Sequence, residues 1–101
     1  MINVIAITTA KPGKRDELLA AFRAILPLVH AEAGCIEYGP AIDTDHAIAS
    51  DRFGPDSFVV IEKWASKAAL SAHANAPHMV AYAARAWCFQ LNALALCFFE
   101  R

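Results

Sequence analysis

The chain has 101 residues, of which 57% are apolar, and its net charge is −1 at neutral pH. This length predicts one domain over residues 1–101. The interspersed charges exclude the clustered basic stripe of a nucleic-acid-binding protein, and no apolar run approaches the ~20 residues of a membrane-spanning helix. An apolar fraction above the roughly 45–50% of soluble domains predicts that an oligomer buries part of the apolar surface.

The number and placement of the cysteines indicate the cellular compartment of the protein. The three cysteines, Cys35, Cys88 and Cys97, cannot all pair within one chain. Two of them lie in apolar runs, where a free cysteine usually behaves as a small hydrophobic residue. The segment MINVIAITTAK begins directly with a strand-like run and lacks the basic start of a secretory signal. These features predict a cytoplasmic protein with reduced cysteines.

The first predicted elements are a strand and a long helix. Residues 2–10 are rich in β-branched side chains, and the turn KPG separates them from a helix over residues 14–32. Pro27 lies inside this helix and predicts a kink, because its ring removes one backbone hydrogen bond. Gly34 is expected to end the helix in a left-handed conformation. The apolar stripe of the helix, at steps of three and four residues, consists of Leu18, Phe22, Ile25 and Val29.

Two further strands are predicted in the middle of the chain. Residues 35–43 form the second strand, which Pro40 confines to a sheet edge or a bulge. A polar loop marked by glycine and proline covers residues 46–56, and the third strand covers residues 57–64. Alternation along this third strand places four side chains on one face of the sheet: Phe58, Val60, Glu62 and Trp64.

The last part of the chain predicts a divided helix and a final strand. Ser66 can cap a helix over residues 67–74, the sequence NAP breaks it, and Pro77 suits the first turn of a further helix that reaches about Trp87. Residues 88–99 predict a strand that is apolar on nearly both sides. The order βαββαβ predicts the α+β class, with a ferredoxin-like antiparallel sheet and helices on one face. A partner subunit is expected to cover the second face.

The segments EAGCIEYG, PDSFVVIEKWASKAALSAH and PHMVAY, in this order, resemble the antibiotic biosynthesis monooxygenase superfamily over nearly the whole chain. Within it, the bacterial quinol monooxygenases are the most similar group. The resemblance implies a homodimer whose sheets pack into an α/β barrel. It also implies oxygenation of a small quinol or related phenolic aromatic by O2, with neither metal nor flavin.

The residues at a few positions disfavour assignment of this chain to two branches of the superfamily. Haem-degrading members use an asparagine and a histidine at positions that fall near Ala6 and Ala83 of this chain, and neither residue can take that role. An anthrone oxygenase places an asparagine near the position of Val60, so its particular route for the proton does not carry over.

Candidate catalytic residues follow from the chemistry of a quinol. Loss of a phenolic proton turns a quinol into a strong electron donor to O2, and a base that works near neutral pH is most often histidine. His73 and His78 are the candidate bases, and Glu62 is expected to orient one imidazole. We favour His73, because its helix follows the strand that carries Glu62 and Trp64. The alternative for Glu62 is a purely structural hydrogen bond, and for His78 a surface or capping position.

Four residues are candidates for substrate binding in an apolar pocket: Tyr38, Trp64, Met79 and Tyr82. Trp64 and Met79 have the alternative of being plain core residues. No metal site is predicted, because His73 and His78 lie on either side of a helix break and do not share one helical face. A non-catalytic dimeric binding module for a small apolar ligand is the main alternative function, and an isomerase or dehydratase on the same scaffold is a third.

Overall fold

The computed structural model describes residues 1–46, 51–91 and 95–100. It confirms the predicted ferredoxin-like α+β fold with a divided second helix. Parts of the predicted loop 46–56 and of the predicted strand 88–99 lie outside the described residues. The elements in chain order are β1 (Ile2–Thr9), α1 (Arg15–His30), β2 (Cys35–Ala41), β3 (Ser57–Trp64), α2 (Lys67–Ala74), α3 (Pro77–Ala86) and β4 (Ala95–Glu100).

The four strands form one antiparallel sheet in the order β2-β3-β1-β4. β1 pairs with β3 over its whole length, from Ile2 opposite Trp64 to Thr9 opposite Ser57. β2 lies at an edge, which confirms the position predicted from Pro40. β4 begins later than predicted. Before it, the described chain makes only an isolated bridge between Gln90 and Ala10.

The long helix α1 buries the predicted apolar stripe and continues through Pro27 as one element. It ends at His30, earlier than predicted, with Ala31 as its C-cap. Gly34 is left-handed, with a φ of +83°, but it lies in the turn before β2. The prediction that Gly34 ends the helix is therefore wrong. The helix has already ended through backbone hydrogen bonds from Ala31 to Pro27 and from Glu32 to Val29.

The boundaries of α2 and α3 follow from their local sequence. The Ser66 hydroxyl accepts a hydrogen bond of 3.1 Å from the Ala69 backbone N–H, which confirms the predicted cap. Pro77 lies in the first turn of α3, also as predicted. Only Asn75 and Ala76 lie between the two helices, and the extended backbone of Ala76, with φ −64° and ψ 140°, turns the chain between them.

The two faces of the sheet differ in what covers them. On the helix-facing side, Val4, Phe58 and Trp64 are buried against the α1 stripe. On the opposite side, Ile61 of β3 and Phe99 of β4 are 40% and 45% exposed. Within the described ranges, no helix is long and apolar enough to cross a membrane.

Candidate active site

A cavity of about 200 Å³ lies between the helices and the sheet. Its walls are mostly apolar and come from all four strands and all three helices. Its polar side chains are few: Thr8, Tyr38, Glu62, His73 and Tyr82. An apolar cavity with a small number of directed polar groups is the usual form of a small-molecule site.

His73 reaches the cavity from the last turn of α2 and is buried. Its Nδ1 lies 2.9 Å from Oε2 of Glu32, in the turn between α1 and β2. The ring is also held between aromatic side chains, with its centroid 4.5 Å from that of Trp64 and 5.1 Å from that of Tyr38. The orientation of this imidazole is therefore restricted by two ring contacts and by one hydrogen bond.

The hydrogen bond to Glu32 selects one tautomer of His73. A carboxylate can only accept, so Nδ1 must carry the proton that it donates. In the neutral ring, Nε2 then holds a free lone pair, and within the described part of the chain it has no hydrogen-bond partner. This nitrogen is available to accept a proton from a molecule in the cavity.

A close backbone approach holds the carboxylate of Glu32 near α2. The carbonyl of Gly34 accepts a hydrogen bond of 2.8 Å from the Ala65 N–H, just before α2. A Cβ on Gly34 would lie 2.5 Å from the Cβ of Ala69, so only glycine permits this approach. The turn that carries Glu32 is thus held directly against the helix that carries His73.

His78 meets the same carboxylate from α3. Its Nε2 lies 2.8 Å from Oε2 of Glu32, so a single oxygen accepts hydrogen bonds from both rings. His73 and His78 lie on either side of the helix break, as predicted, but the break does not keep their rings apart. Because the chain turns at the break, the two rings converge on Glu32.

Glu62 has a different partner from the one expected. Its Oε1 accepts a hydrogen bond of 2.9 Å from the Trp64 indole N–H, and the imidazole of His73 is bonded to Glu32 instead. The expectation that Glu62 orients the imidazole by a hydrogen bond is therefore wrong. Glu62 lines the cavity and is buried, and this burial raises the pKa of its carboxyl group.

The two tyrosines of the chain both line the cavity. Burial raises the pKa of Tyr82 to about 12, and burial together with the charge of Glu62 raises the pKa of Tyr38 further. Both hydroxyl groups are therefore neutral at physiological pH. Neither hydroxyl is hydrogen-bonded to another group among the described residues, so both can donate to an oxygen atom of a ligand.

The predicted site residues divide into two groups. Tyr38, Met79 and Tyr82 line the cavity, as do His73 and Glu62. Trp64 and His78 do not. Trp64 is fully buried beneath the cavity wall, where it packs on His73 and bonds Glu62, so its predicted substrate contact is wrong. His78 lies behind Glu32, and its side chain is 19% exposed.

Sequence reasoning missed Glu32, which was placed at the end of the helix with no role. The available signal was its position at the start of EAGCIEYG, a segment on which the family resemblance rests. A carboxylate next to a left-handed glycine turn has no helical or strand periodicity to mark it.

Comparison with known proteins agrees with this architecture. The family model described as antibiotic biosynthesis monooxygenase matches residues 1–85. The chain belongs to this family. It is 42% identical over 84 residues to the protein named "Probable quinol monooxygenase YgiN" of Escherichia coli K12, and the match covers 81% of each protein. Family membership supports a monooxygenase activity in general.

Solved structures of the same fold include a crystal structure of PA3566 from Pseudomonas aeruginosa. It has a TM-score of 0.81 and 28% identity, and the match covers 99% of this chain and 92% of that one. A putative antibiotic biosynthesis monooxygenase from Nitrosomonas europaea has a TM-score of 0.85 over 100% of this chain and 98% of its own. At 16% identity, that second likeness concerns the fold alone.

Proposed function

We propose that the chain is a monooxygenase, or an oxidase, that acts on a small quinol or related phenolic aromatic with O2 and needs neither metal nor flavin. The observation that carries this proposal is the His73 imidazole, which lines an apolar cavity while Glu32 holds its other ring nitrogen. The printed name of the Escherichia coli relative supports a quinol as the substrate class.

His73 is the base in this reaction. Its Nε2 takes a phenolic proton, and the resulting quinol anion gives one electron to O2, which forms a semiquinone and superoxide. Recombination of this pair forms a carbon–oxygen bond, and loss of water then leaves a hydroxylated quinone. Without recombination, a second electron and protons give the quinone and hydrogen peroxide. Either route is balanced by the quinol and O2 alone.

The other cavity residues bind and orient the substrate. The neutral hydroxyl groups of Tyr38 and Tyr82 donate hydrogen bonds to the oxygen atoms of the quinol. Met79 and the apolar walls contact the flat ring, and the flexible thioether adapts to its shape. An apolar cavity also excludes water, which protects the anion and the oxygen intermediates. Glu62 supplies a buried carboxyl group at the same wall.

A homodimer in the cytoplasm is part of the proposal. The exposed apolar residues on the open face of the sheet support a partner subunit. So does the buried Asn3 side-chain N–H₂ on that face, which finds no hydrogen-bond partner within the described ranges. We expect more than ~2,000 Å² of total buried area, typical of an obligate dimer. Sedimentation that finds a stable folded monomer at micromolar concentration would contradict this. The unpaired cysteines fit a reducing compartment.

The direct test measures O2 uptake by the chain with a reduced naphthoquinol, in the presence of a chelator and without added flavin. We expect turnover, and we expect His73→Ala to lower it by about 10²–10⁴-fold, the usual contribution of a general base. His46→Gln, a substitution of a histidine outside the site, should leave turnover unchanged. Labelled oxygen in the product distinguishes oxygenation from oxidation.

Two results would overturn the proposal. A strict requirement for iron or flavin would contradict the cofactor-free reaction. Tight binding of the quinone without O2 uptake would favour the non-catalytic binding module, for which the largely apolar cavity is also suited.

A further inference from the structure

Glu32, His73 and His78 form a close cluster of three side chains. Orienting His73 as a base would require only two of them. One oxygen, Oε2 of Glu32, lies 2.9 Å from Nδ1 of His73 and 2.8 Å from Nε2 of His78. One donor atom from each residue lies within 4.8 Å of the other two. Among the residues that the structure describes, this is the only group of three such side chains with this closeness. A single histidine and the carboxylate would suffice to fix a tautomer.

We propose that Glu32, His73 and His78 form a binding site for a divalent transition-metal ion of the Zn²⁺ class. Two imidazole nitrogens and one carboxylate oxygen are a donor set that suits such ions, with a fourth position left for water. Bonds of roughly 2.0–2.2 Å place the donor atoms of a tetrahedral ion about 3.3 Å apart. The two contacts to Glu32 therefore need to lengthen by about half an ångström, and the two ring nitrogens, which lie within 4.8 Å of each other, need to move to a similar separation.

The surroundings favour an ion at this point. The side chains of His73, Glu32 and His78 are only 7%, 14% and 19% exposed, so their conformations are already restricted before an ion arrives. The partial exposure of His78 gives the ion a route from solvent. The carboxyl group of Glu62 lies close enough to interact electrostatically with both Glu32 and His73, and in its ionised form it adds a second negative charge near the ion.

Occupancy of this site would change the chemistry of His73. An ion bound to Nδ1 takes the lone pair of that nitrogen, so the single proton of the neutral ring moves to Nε2. The cavity nitrogen is then a donor and can no longer accept a proton from a substrate. A bound ion is thus expected to inhibit the reaction. This consequence rests on the proposed function, whereas the binding of the ion does not.

Metal binding is tested without substrate, by titration of chelator-treated chain with Zn²⁺ in a calorimeter. We expect about one ion per chain. Glu32→Gln and His78→Gln should each weaken binding by at least ~10-fold, because each removes one of three ligands. His46→Gln is the matched control and should leave the affinity unchanged. Binding that survives both cluster substitutions, or that is lost in the control, would overturn the site.

A second measurement uses the unaltered chain, so that a folding defect in a variant cannot decide the result. Added Zn²⁺ should shift the imidazole signals of His73 and His78 in NMR spectra and leave those of His30 and His46 in place. Co²⁺ should give the visible absorption of a four-coordinate ion. Shifts confined to His30 or His46, or an unchanged spectrum at saturating Zn²⁺, would contradict the proposal.

Inhibition is a separate result. O2 uptake should fall with the same Zn²⁺ dependence as binding and should return when chelator is added. Binding of Zn²⁺ with full turnover would contradict the role of His73 as the base and leave the metal site standing. Loss of turnover without binding would contradict the metal site and leave the role of His73 standing.

Discussion

Two regions of the molecule each place a carboxylate near His73, and they use it differently. The turn between α1 and β2 presents Glu32, which accepts hydrogen bonds from two imidazoles. The strand β3 presents Glu62, which accepts one hydrogen bond from the indole of Trp64 and lines the cavity. The turn therefore holds the ring of His73, the proposed base, from outside the cavity, and the strand forms part of the cavity wall. Glu62 was the expected partner of His73 because its strand directly precedes the helix of His73 in sequence. The observed partner, Glu32, lies much further away along the chain.

The largest expected difference between substitutions of Glu32 and Glu62 is in the turnover rate. Glu32→Gln replaces a carboxylate, which can only accept, by an amide that can also donate, so the His73 tautomer is no longer fixed and kcat should fall by about 10–100-fold. Glu62→Gln retains an oxygen that can accept the hydrogen bond from the Trp64 indole, so it should lower kcat by a smaller factor. Glu17→Gln, at an exposed position of α1, serves as the control. Steady-state O2 uptake measures all three, and a greater loss for Glu62→Gln than for Glu32→Gln would reverse the two roles.

The backbone that carries Glu32 should be sensitive to a single methyl group. Gly34→Ala places a side chain at positive φ, which costs roughly 1–3 kcal/mol, and also forces it against Ala69, which adds a similar amount. Gly13→Ala is the matched control, because Gly13 also has a positive φ of 76° but has open space around it. Denaturant unfolding should show the larger loss of stability for Gly34→Ala. Equal losses would mean that the close approach to α2 does not constrain the turn.

The smallest expected effect concerns pH. An unfolded tyrosine loses its proton near pH 10, whereas Tyr82 in the folded chain holds it to about pH 12 because of burial, and the pKa of Tyr38 is raised further. The stability contributed by the two neutral tyrosines is complete below about pH 10 and declines as pH rises toward 12 and beyond. Unfolding free energies measured across this range should fall.

The Tyr82→Phe variant provides the control for this pH dependence. It removes one of the two protons that the unfolded chain releases, so the decline should become shallower by about one proton per molecule. A decline as steep as in the unaltered chain would show that Tyr82 titrates normally when folded.

The elements of the fold were largely predictable because their signals are local. The Ser66 cap, the Pro77 start of α3 and the edge position of Pro40 each depend on a residue and its immediate neighbours. The stripe of α1 and the alternation of β3 likewise follow from the periodicity of the chain.

The candidate site was less predictable because its key contacts are distant in sequence. Glu32 and His73 are 41 residues apart, and no local pattern links them. Alternation placed Trp64 and Glu62 on one face correctly. It could not show that the indole would lie beneath the wall and use its N–H to hold Glu62.

We expect Glu32, rather than Glu62, to determine which ring nitrogen of His73 carries the proton. NMR spectra that correlate the ring nitrogens of His73 with its carbon-bound protons report this pattern directly, in chelator-treated protein at a pH where the ring is neutral. We expect a protonated Nδ1 and an unprotonated Nε2, a shift toward the Nε2–H form in Glu32→Gln, and no change in Glu62→Gln. A His73 ring that is protonated at Nε2 in the unaltered chain would show that Glu32 does not set this pattern.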